Sequence, residues 1–147
     1  MDSRTRERDA HSDQEIMSIL RLRNVAVVGT SRDPTKPSQY VPRYLIEHGY
    51  NVLHVTPFAQ EVFGLKCYKG LLDVEKPIDI VDVFRPSRNV PAVIDAAIKK
   101  KVRVVWLQQG IHDPASEEDA IKNGINVVWN RCMMKERSRL FGEKELL

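Results

Sequence analysis

The chain has 147 residues and a mass of 16.9 kDa, which suits a single domain. Its 42% hydrophobic and 29% charged residues are typical of a soluble globular protein. No apolar run reaches the roughly 20 residues that cross a bilayer, and the polar N-terminus does not resemble a secretory signal. The 23 basic and 20 acidic residues give a net charge of +3, a mild excess that permits an anionic ligand without favouring nucleic acid.

The cysteine content and the two ends of the chain indicate how it is organised. Cys67 and Cys132 are too few for a disulfide scaffold and lack metal-ligand spacing, so we expect a cytoplasmic protein without a metal site. Residues 1–11 are polar and charged and predict a flexible tail. Residues 12–142 are expected to form the ordered domain, and residues 143–147 a C-terminal tail.

Short β-branched segments alternate with amphipathic segments along the rest of the chain. Helices are predicted over residues 13–22, 40–48, 90–101, 116–123 and 131–141, and strands over 24–29, 51–56, 78–84, 103–107 and 126–129. The stretch 58–77 is irregular, with at most a short helix near residues 69–72. This order predicts an α/β fold: a three-layer, Rossmann-like, doubly wound parallel sheet of five strands in a single domain.

In such sheets the ligand lies beyond the carboxyl ends of the strands, so we expect the binding residues in the segments that follow the predicted strands. The loop after the first strand combines a glycine, hydroxyls and cations that suit a pyrophosphate, namely Gly29, Thr30, Ser31, Arg32 and Lys36. The alternative is an ordinary polar loop, since the segment is neither a GxGxxG nor a Walker motif.

The next two strand ends are apolar or basic. The segments Val55-Thr56-Pro57 and Val83-Phe84-Arg85 could surround an adenine ring and meet a phosphate, although a plain turn and solvated charges are equally compatible. A dinucleotide oxidoreductase normally carries an acidic residue at the end of its second strand. Thr56 occupies that position, which argues against NAD.

The last two strand ends offer amides and a thiol. Gln108, Gln109 and Gly110 could bind an uncharged polar arm. Cys132 begins the last helix and is interpreted as a packing residue, with a reactive thiolate as the alternative. His112 stands alone beside an acid and is interpreted as structural. No catalytic constellation is recognisable, so the residues favour binding over catalysis.

Taken together, these segments resemble a known family. The motifs GTSRDPTK, GYNVLHVTP, FGLKCY, IDIVDVFRP, VWLQQGI and the late Arg-Cys pair are similar, in order and spacing, to the stand-alone CoA-binding proteins. These resemble the CoA-binding domain of the succinyl-CoA synthetase α subunit. The chain departs from the family at Thr30, Thr56 and Asn130, where Ala or Leu, Asn and Asp are common.

The resemblance implies a Rossmann-type domain that binds coenzyme A or an acyl-CoA at the residues named above. The pyrophosphate would lie on the first loop, the adenine beside the second and third strand ends, and the pantetheine arm near Gln109. The synthetase also needs a phosphorylated histidine in a separate domain, for which these 147 residues have no room, so we expect CoA recognition without ligase chemistry. The alternatives are an NAD(P)-dependent oxidoreductase and a CoA-thiol redox or storage protein acting through Cys132 or Cys67. A monomer or homodimer without nucleic acid or membrane partners is expected.

Overall fold

The computed structural model describes residues 7–142. The elements in chain order are α1 (Asp13–Leu20), β1 (Asn24–Val28), α2 (Pro37–Glu47), β2 (Asn51–Val55), β3 (Glu61–Val62), β4 (Leu65–Tyr68), β5 (Ile80–Val83), α3 (Val90–Lys100), β6 (Val104–Leu107), α4 (Pro114–Lys122), β7 (Asn126–Val128) and α5 (Met133–Phe141). Two short 3₁₀ helices, Leu71–Asp73 and Ser87–Asn89, flank β5.

All five predicted parallel strands are present, and they form the centre of a larger sheet. The strand order is β3-β4-β2-β1-β5-β6-β7, and every pair is parallel except β3 with β4. The predicted number of five strands is therefore too low, because β3 and β4 form an additional hairpin at one edge of the sheet. This hairpin lies in the stretch predicted as irregular, where the short helix is Leu71–Asp73 instead of residues 69–72.

Alternating side chains of the central strands are buried on both faces of the sheet, as continuous β-branched runs require. Val25 and Val27 of β1 pack on one face with α1, α2 and α5. Ala26 and Val28 pack on the other face with α3 and α4. This arrangement confirms the three-layer α/β prediction.

The helix boundaries show where local sequence signals were decisive. The predicted capping box at the start of α1 is present: the Glu15 N–H donates to Ser12 Oγ at 3.2 Å, and the Ser12 N–H donates to Glu15 Oε1 at 3.0 Å. By contrast, α2 and α4 begin at Pro37 and Pro114, earlier than predicted. Proline suits the first turn of a helix because its fixed φ is already helical and its missing N–H has no partner there.

Residues 7–11, which the sequence assigns to the N-terminal tail, lie against the end of β7. Asp9 accepts hydrogen bonds from Arg131 at 2.8 and 3.0 Å and from the Trp129 N–H at 3.0 Å. Both side chains of the Asp9–Arg131 pair are almost fully buried. This part of the predicted tail is therefore attached through a paired charge; residues 1–6 and the predicted tail at 143–147 lie outside the described residues.

The buried Asp9–Arg131 pair makes a testable contribution to stability. Burial opposes ionisation of Asp9, but hydrogen bonds from Arg131, Trp129 and His11 outweigh it and lower the pKa of Asp9. Asp9→Ala removes the hydrogen-bonded carboxylate of a buried guanidinium and leaves Arg131 only the more distant carboxylate of Glu136, at 3.9 Å, so we expect the free energy of unfolding to fall by about 3 kcal/mol in urea titrations at neutral pH.

Asp13→Ala is the matched control for this measurement. Asp13 also pairs with an arginine, Arg139, but that pair is exposed, and exposed pairs contribute little. We expect a much smaller loss of stability for this control. Equal losses in the two variants would contradict a special role for the Asp9–Arg131 pair.

Candidate ligand-binding site

The carboxyl ends of β1 and β5 lie side by side at the point where the strand order reverses. Gly29 follows β1 with a φ of +97°, and its N–H donates to the Val55 carbonyl at 2.9 Å. A Cβ at Gly29 would lie 3.5 Å from the Arg85 side chain and from the Phe84 backbone. The positive φ favours glycine, and the contacts of Gly29 with Val55, Phe84 and Arg85 bring three predicted site segments together.

The loop after β1 uses its polar side chains in different ways. Thr30 is buried, and its hydroxyl lies 3.0 Å from Nδ1 of the buried His54, so this hydroxyl is enclosed by protein and does not serve as the phosphate donor that the sequence predicts. Ser31 Oγ accepts from the Asp33 N–H at 3.0 Å. Arg32 donates to the Glu61 carbonyl at 2.8 and 3.3 Å, which joins the loop to β3, whereas Lys36 is exposed.

A groove lies beside the loop, between the end of β2 and the edge hairpin. Its volume is about 640 Å³, and we call it the basic groove because it is lined by Arg32, Pro57, Phe58, Lys66 and Lys69, among others. Among the described residues, Lys66 and Lys69 form no ion pair with an acid. The groove therefore combines cations with apolar surface, a composition that suits a phosphorylated nucleoside.

An exposed aromatic ring forms one wall of the basic groove. Phe58 is 82% exposed, and the Arg85 guanidinium lies over its ring at 5.3 Å from the centroid. Thr56, in contrast, is buried, and its Oγ1 accepts from the Phe58 N–H at 3.3 Å. Thr56 therefore shapes the turn that exposes Phe58 and is itself enclosed by protein.

A second hollow lies on the other side of the loop, above the ends of β5 and β6. This cleft has a volume of about 270 Å³, and we call it the amide cleft; its lining includes Lys36, Tyr40, Phe84, Gln108, Gln109, Cys132 and Lys135. Lys135 Nζ donates to Gln109 Oε1 at 3.1 Å. Sequence reasoning missed Tyr40 and Lys135, which carry no local motif and reach the cleft only through folding of α2 and α5.

Gly110, a predicted site residue, is not among the residues that line the amide cleft, whereas Cys132, which the sequence assigns to packing, is one of them. Gly110 is exposed, and its N–H donates at 2.7 Å to Asn130 Oδ1. Asn130 has a φ of +54°, a conformation that asparagine tolerates. Cys132 is nearly buried, and burial raises the pKa of its thiol, which disfavours the reactive thiolate.

An acidic residue lies below the amide cleft, and sequence reasoning assigned it no role. Asp82 is fully buried in β5 and accepts a hydrogen bond from Nε2 of Gln108 at its Oδ1 atom. Its Oδ2 atom has no hydrogen-bond partner among the described residues. The signal in the sequence was an acid in the middle of the apolar run IDIVDVF, where an unpaired carboxyl is costly.

Other titratable candidates have local structural partners. His112 stacks on Trp129, with 3.6 Å between ring centroids, and its Nδ1 lies 2.6 Å from Glu117 Oε2. Over residues 7–142, no group of three or more His, Cys, Asp or Glu side chains has metal-binding geometry. None of the helices in that range has the length and hydropathy needed to cross a bilayer.

Comparison with known proteins places this geometry in a family. The sequence profile described as "CoA binding domain" matches residues 23–138. The chain belongs to this family. The CoA-binding domain is similar to the uncharacterized protein YneT of Bacillus subtilis, with 33% identity over 83% of this chain and 91% of that protein.

Two further relatives show the range of the family. An ADP-forming acetate–CoA ligase of Methanocaldococcus jannaschii is 33% identical over 81% of this chain, but the match covers only 17% of that enzyme. A solved structure of a hypothetical protein from Pyrococcus horikoshii OT3 has a TM-score of 0.88 and 39% identity, over 90% of this chain and 94% of that one. The CoA-binding domain therefore occurs both in small proteins and as a fraction of larger ligases.

The buried acid and the buried histidine of the site predict opposing pH effects. Burial raises the pKa of Asp82 to about 7, so the folded chain keeps a proton that the unfolded chain releases near 4. The free energy of unfolding should then fall as pH rises from about 4 to about 7. Burial lowers the pKa of His54 to about 4. Between about pH 4 and pH 6.5 the unfolded chain therefore binds a proton at His54 that the folded chain does not bind, and the free energy of unfolding rises as the pH rises through this range.

The variant Asp82→Asn separates these two contributions. The substitution removes the titration of Asp82 and leaves that of His54. We therefore expect the free energy of unfolding of the variant, relative to that of the unsubstituted chain, to increase by about 4 kcal/mol between pH 4 and pH 8. Urea titrations at several pH values measure this difference, and Asp95→Asn on the exposed side of α3 controls for the change of charge. A stability difference that stays constant across that range would contradict the raised pKa of Asp82.

Proposed function

We propose that the chain binds coenzyme A, free or acylated, across the basic groove and the amide cleft. The observation that carries this proposal is the position of the loop over residues 29–36 between the two hollows. Arg32, near the middle of the loop, lines the basic groove, and Lys36, the last residue of the loop, lines the amide cleft. A ligand with a nucleotide at one end, a pyrophosphate in the middle and a polar arm at the other matches this order.

The basic groove suits the adenosine part of the ligand. Phe58 offers an exposed ring face against which adenine can stack, and Arg85 already lies over that ring. Lys66 and Lys69 provide cations for the phosphate that CoA carries on its ribose. No acidic side chain is among the residues that line the groove, which favours a phosphorylated ribose over the free hydroxyls of NAD.

The loop and the amide cleft suit the remainder of CoA. The backbone N–H groups of Thr30 and Arg32, which donate to no acceptor among the described residues, would hold the pyrophosphate together with the Arg32 and Lys36 side chains. The pantetheine arm carries amides, a hydroxyl and a thiol, and it would extend past Gln109 and Phe84 in the cleft. The family membership supports the same ligand, since the matching profile describes a CoA-binding domain.

The proposal is one of binding, not of catalysis. Burial raises the pKa of both the Cys67 and the Cys132 thiols, which argues against a redox or storage role through a mixed disulfide. Intact-mass measurement after exposure to CoA disulfide should therefore show no added CoA. A stoichiometric adduct that reductant removes would favour the thiol-based alternative instead.

The loop cation Lys36 provides a direct test of binding. Lys36→Glu places a carboxylate where the pyrophosphate would lie, so we expect the affinity for CoA in calorimetry to fall more than tenfold, with an unchanged melting temperature without ligand. Lys99→Glu makes the same charge change on the exposed side of α3 and should bind CoA like the unsubstituted chain. Undiminished affinity in Lys36→Glu would count heavily against the proposed phosphate site.

The phosphate on the CoA ribose provides a test of the basic groove. Dephospho-CoA lacks only that phosphate, and we expect it to bind about 3- to 10-fold more weakly than CoA. Lys66→Gln and Lys69→Gln should each reduce this preference, whereas Lys99→Gln should preserve it. Equal affinities for CoA and dephospho-CoA would reject this use of the groove while leaving CoA binding intact, and thermal stabilisation by NADH but not by CoA would favour an oxidoreductase.

A further inference from the structure

Asp82 is the only charged residue within β5, and its surroundings make its single hydrogen bond informative. Its neighbours across the sheet are Val27 of β1 and Trp106 of β6, and the side chain is wholly enclosed. Enclosing a carboxyl among apolar groups is costly, so a hydrophobic residue here would give a more stable strand. The one group that the carboxyl engages among the described residues is the amide of Gln108.

Gln108 connects this enclosed acid to the amide cleft. Its Nε2 donates to Asp82, while the residue also lines the cleft. Its Oε1 atom has no hydrogen-bond partner among the described residues and is not one of the atoms that protein encloses. Because Oδ1 of Asp82 accepts from the amide nitrogen, the opposite end of the amide, the carbonyl oxygen, is left for the cleft.

We propose that Asp82 is a positioning residue that holds the Gln108 amide so that Oε1 accepts a hydrogen bond from an amide N–H of the pantetheine arm. This inference rests on the proposed function, since it assigns a partner to the arm of the same ligand. Without Asp82 the amide can rotate and present its NH₂ group to the cleft, which an N–H of the ligand cannot use.

The other polar groups of the cleft differ from Gln108 in what they offer a ligand. Lys36 and Lys135 offer only donors, which suit phosphate and carbonyl oxygens, and the hydroxyls of Ser38 and Tyr40 can rotate to donate or accept. The Oε1 atom of Gln109 accepts from Lys135. Gln108 therefore supplies an acceptor whose orientation is fixed from inside the protein, at the place where the arm would present its N–H groups.

The test compares two ligands on four variants by calorimetry. CoA carries the arm, whereas adenosine 3′,5′-bisphosphate carries the adenosine, its 3′-phosphate and the first 5′-phosphate, but neither the second phosphate of the pyrophosphate nor the arm. We expect Asp82→Val to weaken CoA binding about 3- to 10-fold and to leave the bisphosphate affinity unchanged. Gln108→Met should have the same effect, and Asp82→Asn, which keeps an oxygen acceptor for Nε2, should restore most of the lost affinity.

The double variant Asp82→Val with Gln108→Met decides whether Asp82 acts through Gln108. If it does, the double variant binds CoA no more weakly than Gln108→Met alone. A further loss in the double variant, or an equal loss of both ligands in Asp82→Val, would overturn the positioning role. If Asp82→Val does not fold, Gln108→Met is sufficient, because unchanged CoA affinity in that variant overturns the inference.

The same experiment separates this inference from the proposed function. If the unsubstituted chain binds neither ligand, the proposed function fails and the inference fails with it. If the unsubstituted chain binds CoA more tightly than the bisphosphate, and the variants keep that ratio, only the positioning role of Asp82 is rejected.

Discussion

The reversal of strand order between β1 and β5 is the constraint on which the site depends. The connection after β1 leads to one side of the sheet and the connection after β5 to the other, so a gap opens above their adjacent ends. Backbone hydrogen bonds from Gly29 to Val55 and from Phe84 to Val28, both 2.9 Å long, fix the chain on either side of this gap. The basic groove and the amide cleft both adjoin this gap, because Arg85 lies over the Phe58 ring of the groove and Phe84, the preceding residue, lines the cleft.

The surface features are supported by polar groups inside the protein. On one face of the sheet, His54 and Asp82 flank Val27 in neighbouring strands. His54 contacts the Thr30 hydroxyl in the loop after β1, and Asp82 accepts a hydrogen bond from Gln108, which lines the amide cleft. Burying His54 and Asp82 in the core lowers the stability of the fold, but each of them contacts a residue near the candidate site, Thr30 or Gln108. The cost in stability is therefore connected to the shape of the site.

The sequence predicted the sheet well because the central strands are short, mainly apolar segments rich in valine and isoleucine, and such segments are typical of strands buried on both faces. It did not predict β3 and β4, because β3 has only two residues and β4 contains a lysine and no β-branched residue, so neither resembles the apolar segments of the central strands. The helix starts at Pro37 and Pro114 were readable in principle from the preference of proline for the first turn. The attachment of Asp9 was not readable, since its partner Arg131 lies 122 residues further along the chain.

The site residues show the same division between local and long-range information. Strand-end positions such as Gly29 and Lys36 follow from the fold, but the partner of each side chain depends on contacts between distant segments. Thr30 looked like a surface donor because its neighbours are polar, yet its partner comes from β2. Likewise, a net charge of +3 gives no indication of a basic groove. Its character arises because folding brings Arg32 of the loop beside Lys66 and Lys69 of the hairpin region, so local placement of charge, more than total charge, prepares the surface for an anion.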